Sequence, residues 1–154
     1  MAATANGHRE LDQAHERLRE ALDVTRHALG GGQDRSVPDG VVLCQGLCRA
    51  VVEHQRGQDQ SLFPVLAARR PELGPALHAL RQDHALVAGL VEDLRQACES
   101  RASAGELGGR VERLAASLDT HFRHEELRLN PVLDLLDGAG PPPPTLDTLG
   151  WLVS

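Results

Sequence analysis

The sequence predicts an all-α fold, an up-down-up-down antiparallel four-helix bundle. Three observations lead there. Apolar residues recur at helical spacing in four long segments and nowhere alternate as strands would. Glycine and proline cluster between those segments. The links are short, which makes consecutive helices antiparallel neighbours. A chain of 154 residues suits one domain with a hydrophobic core that needs no staples.

The first segment runs from about His8 to Leu29, with Leu11, His15, Leu18, Leu22 and Leu29 on one stripe, and Gly30-Gly31-Gly32 ends it. A loop holding Ser36, Pro38 and Asp39 leads to the second segment, Val41 to Ala68. Its stripe is Cys44, Leu47, Val51, His54, Gln58, Leu62 and Val65. Pro71 and Gly74-Pro75 mark the next turn. The third segment, Ala76 to Ser100, carries Leu77, Leu80, His84, Val87, Val91, Leu94 and Cys98. The fourth, Gly105 to Leu136, carries Val111, Leu114, Leu118, His121, Glu125, Leu129 and Val132. Residues 1–137 are therefore expected to form the bundle and residues 138–154 a Pro-rich tail. In that tail Pro141 to Pro144 form a stiff spacer. Leu146, Leu149, Trp151 and Leu152 are apolar enough to dock on the bundle, with Trp151 as a packing anchor.

Composition excludes several classes. The formal charge is -6, and no basic stripe interleaves with aromatics, so nucleic acid is not an expected partner. No apolar run approaches the roughly 18 residues of a membrane span. The first eight residues lack the plan of a signal peptide, and a cytoplasmic protein is expected. Cys44, Cys48 and Cys98 are an odd set for a reducing compartment and imply no disulfide framework. No Cys-x-x-Cys, Glu-x-x-His, His-Glu-x-x-His, Walker-type glycine loop or Gly-x-Ser-x-Gly occurs.

The chain also repeats itself. Gln13-Ala14-His15 resembles Gln82-Asp83-His84. His54-x-x-x-Gln58 is followed six residues on by Pro64, and His121-x-x-x-Glu125 six residues on by Pro131. Such a duplicated helical hairpin places residues of matching depth around a pseudo-two-fold axis. The informative point is which residues these are. His15, His54, Gln58, His84, His121 and Glu125 all fall on core stripes. Burying four histidines and a carboxylate without compensation costs several kcal/mol. A metal supplies the compensation, since neutral imidazole and carboxylate ligate iron, zinc or manganese. The i,i+4 spacing sets His54 with Gln58, and His121 with Glu125, on one helix face.

This pattern is similar to the hemerythrin-like, HHE cation-binding family. That family places one His in helix one, His-x-x-x-Glu in helix two, His in helix three and His-x-x-x-Glu in helix four. Ser61-Leu62-Phe63-Pro64 and Leu129-Asn130-Pro131 match its usual continuation, and the likeness covers about residues 8 to 136. The resemblance implies a four-helix bundle with His15, His54, His84, His121 and Glu125 as iron ligands. Two bridging carboxylates usually join two irons there. Glu125 matches one, whereas the other position is the neutral amide Gln58. Asp59 can substitute if its helix rotates slightly, and Glu126 is similarly placed in the other half. With one bridge altered, a mononuclear iron or another divalent metal is the alternative to a di-iron centre. The chain has no Tyr for a phenolate ligand, and Leu80 stands where a second helix-three His would complete an O2-carrier set.

The bland readings cover the rest. His8, His27, His78 and His124 lie off the stripes and are expected in solvent, as are Glu53 and Arg56. Cys44 and Cys48 are expected as small core residues. The expected function is a non-haem iron protein reacting with O2, peroxide or NO, as an oxidase or oxygenase on a small organic substrate. Glu125 would bridge and relay protons, and Gln58 would hydrogen-bond a bound oxygen species. The alternative is a non-enzymatic module that binds, senses or stores iron, O2 or NO.

Overall fold

The computed structural model describes residues 7–30 and 37–138. Those residues are helical almost throughout, with no strand among them. Helix α1 spans Gly7–Gly30, α2 Val37–Gly57, α3 Phe63–Arg69, α4 Gly74–Glu99 and α5 Ala104–Gly138. A π-helical turn, Gln58–Leu62, fuses α2 to α3, and a 3-10 turn, Pro71–Leu73, leads into α4. The four predicted segments are thus present, with shifted ends. The second begins four residues early, at Val37, because Pro38 falls in the first helical turn, where its missing N–H costs nothing. The glycine run at 31–32 and the Pro-rich tail from 139 lie outside the described residues.

The second segment is not a plain α-helix. Pro64 has no N–H for the carbonyl one turn back, and its ring would crowd that carbonyl. The helix widens instead, and the Phe63 N–H bonds to the Gln58 carbonyl five residues behind it. Pro131 occupies the matching place in α5, yet α5 continues through it as α-helix.

Helix α1 packs on α2 and α5, and α4 packs on the same two. The core between them divides into two apolar clusters. One holds Leu18, Val51, Val87 and Leu118 with their neighbours. The other holds Leu11, Leu62, Leu80 and Leu129 with theirs. Chain order matters here. Helices α1 and α4 meet the second cluster first, whereas the α2–α3 rod and α5 meet it last.

The end of α4 shows a local conflict. Arg101 adopts φ 59°, the left-handed region. The Ala102 N–H bonds to the Ala97 carbonyl at 3.1 Å and the Arg101 N–H to that of Cys98 at 3.4 Å. This is the Schellman stop that normally uses glycine. The Arg101 side chain is exposed, so little packing opposes its removal. Arg101→Gly is expected to stabilise the fold by about 0.5–1 kcal/mol, read from urea denaturation midpoints. A destabilised variant would mean that the arginine makes a compensating contact.

Candidate metal centre

Each rod places its polar core residues between the two clusters. His15 sits between Leu11 and Leu18, and His84 between Leu80 and Val87. His54 and Gln58 separate Val51 from Leu62, and His121 and Glu125 separate Leu118 from Leu129. The result is a polar belt across an apolar core. His15, Gln58 and Glu125 are 0% exposed, and His121 and His84 are buried as well. His54 keeps some exposure as a residue, but its Nε2 is buried.

Glu125 lies at the centre of the belt. Its Oε1 accepts from Gln58 Nε2 at 2.8 Å and stands 2.8 Å from His15 Nε2. Its Oε2 stands 3.0 Å from His121 Nε2 and 3.4 Å from His84 Nε2. The carboxylate therefore turns one oxygen to each half of the pseudo-two-fold. Two donor groups follow: His15, His54 and Glu125, and His84, His121 and Glu125, with the donor atoms in each within 4.8 Å of one another. Either group could hold a metal ion. The fit has independent support. Gln58 Oε1 and His121 Nε2 are buried and make no hydrogen bond, His121 being near Glu125 but poorly aligned with it. Buried polar atoms are rarely left so, and a cation would satisfy them.

Electrostatics follow from this geometry. Burial alone would raise Glu125, but the close imidazoles of His121, His15 and His84 outweigh it and hold the carboxyl well below its usual range. Burial pulls His15 and His121 down, yet the nearby carboxylates, Glu125 and the outer acids, win, so both are raised. His54 goes the other way, to about 3, because burial and the neighbouring His15, His84 and His121 exceed the attraction of Glu125. His54 thus presents a neutral imidazole, the form that binds metals.

Residues 6–133 match the hemerythrin HHE cation-binding domain. The chain belongs to that family. Comparison with curated proteins and with solved structures finds no match. The six residues of this HHE domain that sequence pattern singles out for the centre, His15, His54, Gln58, His84, His121 and Glu125, meet in its one belt. Asp59 and Glu126 stand elsewhere. Asp59 Oδ1 lies 2.8 Å from His84 Nδ1, and Glu126 Oε2 lies 2.7 Å from His15 Nδ1. They brace the imidazoles from behind, each on the nitrogen facing away from Glu125, and so orient the rings.

The two halves of the domain repeat this support. His15 stacks on Phe122 with centroids 4.1 Å apart, and Arg19 lies over the Phe122 ring and 3.4 Å from Glu126. His84 stacks on Phe63 at 5.4 Å, and Arg81 lies over the Phe63 ring and 4.0 Å from Asp59. Sequence reasoning did not reach Asp83. Its Oδ2 lies 3.2 Å from His121 Nδ1 and 3.1 Å from His124 Nδ1. The signal was its place beside His84, together with the one-turn spacing of His121 and His124. His124 corrects the reading of solvated histidines, being only partly exposed beside Asp83, whereas His8 keeps an exposed side chain that pairs at the surface with Asp12 and Asp134. His27, His78, Glu53 and Arg56 are exposed as expected. The three cysteines are free, buried thiols, and burial pushes Cys44 up to about 12 and Cys48 up to about 11.

The pH behaviour of the metal-free protein follows. His54 sits at about 3 when folded against 6.5 ordinarily, so the folded state binds fewer protons than the unfolded between those values. Stability therefore falls as pH drops below 6.5, by roughly 1.4 kcal/mol per pH unit for one full proton. Glu125, lowered from 4.5, adds its loss only below that value. His15 and His121 are raised, so their contribution is complete below 6.5 and fades at higher pH. Chelator-treated protein should melt progressively lower from pH 6.5 to 4.5, and His54→Leu should flatten that slope. An unchanged slope in the variant would assign the acid sensitivity to another group.

Proposed function

We propose that this chain is a non-haem iron protein whose belt holds two irons and reacts with O2, peroxide or NO. We further propose the oxidation of a small organic substrate as its activity, in a cytoplasmic setting that suits three unpaired thiols. The observation that carries the reading is Glu125, which offers one oxygen to each of two histidine pairs. A bridging carboxylate needs that division. In this reading His15 and His54 serve one ion, and His84 and His121 the other. The alternating order in which the four rods meet the two clusters supports an up-down-up-down bundle. That bundle would comprise residues 1–137, with residues 138–154 as an appended tail.

Ferrous iron, when bound, supplies the electrons for reducing O2 or peroxide. The rest falls to the chain. Glu125 would offset cationic charge at the centre of a buried belt, where such compensation is worth most. Gln58 keeps an amide N–H beside Glu125, able to donate to an oxygen species that takes its place. Phe122 and Phe63, both buried, exclude water beside His15 and His84. Asp59, Asp83 and Glu126 fix the imidazoles so that their inner nitrogens converge.

Protein expressed in iron-replete medium should contain about two irons per chain, and Glu125→Ala should lower this by at least one. Consumption of O2 with a reductant, or sustained peroxide breakdown, would mark an enzyme. Stoichiometric O2 or NO uptake without turnover would move the reading to a binding, sensing or storage module. Iron-free protein, or zinc alone, would overturn it.

A further inference from the structure

We infer that the two halves of the belt are unequal metal sites, with the His84/His121 half filling first and Gln58 as the main cause of the difference. The inference rests on the two-metal reading above.

The first feature is what each oxygen of Glu125 must give up. Oε1 is engaged twice at 2.8 Å, by the Gln58 amide and by His15. Oε2 faces His84 at 3.4 Å and a poorly aligned His121 at 3.0 Å. A cation at Oε2 breaks weaker contacts than one at Oε1. The amide orientation is fixed by chemistry. Reversed, it would set two oxygens against each other at 2.8 Å. A carboxylate at this place would add a charge shared by both ions, whereas the amide adds none.

The second feature is the outer support. His84 and His121 both have carboxylates at Nδ1, Asp59 and Asp83. Outer carboxylates raise the basicity of a ligating imidazole and hold its tautomer. In the other half, Glu126 supports His15, with Arg19 3.4 Å from it much as Arg81 lies 4.0 Å from Asp59. The first feature ranks the halves, and the acids behind His84 and His121 support the half that it favours.

The test is a stepwise titration of metal-free full-length chain with Co(II), followed by calorimetry and by the visible absorption of each bound ion. Two steps at least about tenfold apart are expected. His54→Ala should leave the tight step intact, and His84→Ala should remove it. Asp83→Asn, which keeps the shape of the side chain, should weaken the tight step by roughly 10–100-fold and spare the other. Gln58→Glu should strengthen the second step and draw the two together. Equal affinities in the unaltered chain, or loss of the tight step in His54→Ala, would overturn the inference. A single bound ion removed by His84→Ala but not by His54→Ala would uphold the ranking while refuting the two-metal reading.

Discussion

A carboxylate with no exposure sits in the middle of this bundle, and most of the arrangement around it answers that fact. An ionised Glu125 in an apolar core would cost several kcal/mol unless paired and hydrogen-bonded. Its partners come from every long rod: His15 from α1, Gln58 from the π-helical turn, His84 from α4, and His121 from its own helix. The charge thus ties the rods together in one plane. It also sets their register, since a shift of one rod by a turn would replace a histidine with leucine or valine. The outer carboxylates repeat the principle, because each imidazole drawn to Glu125 is held from behind by a second acid.

Much of this is legible in the sequence, and the rest fails for identifiable reasons. The four rods follow from apolar periodicity, because each buries one stripe and tertiary contacts reinforce the pattern. The belt residues follow too, since polar groups on a core stripe stand out. The π-helical turn does not follow. Pro64 and Pro131 occupy equivalent positions in the repeat, yet only the first accompanies a widened helix. Asp83 escapes because it lies one residue off the stripe and partners a residue on another helix. Asp59 and Glu126 are visible as neighbours of Gln58 and Glu125, but sequence cannot say which nitrogen of a histidine they meet. His124 looks like a surface residue until α4 brings Asp83 beside it.

The departure at Gln58 gains meaning once its neighbours are known. Gln58 carries a donor and an acceptor where its counterpart in the repeat, Glu125, only accepts. The donor is used at once, on Glu125, while the acceptor remains buried without a hydrogen bond. Such a group is tolerated where a further ligand completes it, or where strain serves a site. Gln58 and Glu125 therefore make the two halves unlike at nearly equal side-chain volume.

The separation of the two apolar clusters explains why such a change is affordable. One cluster packs leucines, valines and Phe122, the other leucines and Phe63, and each contributes burial on its own side of the belt. Folding then depends on the clusters, and chemistry depends on the plane between them. Within that plane, the identity of one residue can alter charge and ligand number while the rods stay in place. The two halves need only share Glu125. Their differences, Gln58 against Glu125 and Ala14 against Asp83, are confined to the belt and its rim. In the proposed reading, a duplicated hairpin carries an asymmetric centre through differences that leave the packing of the core in place.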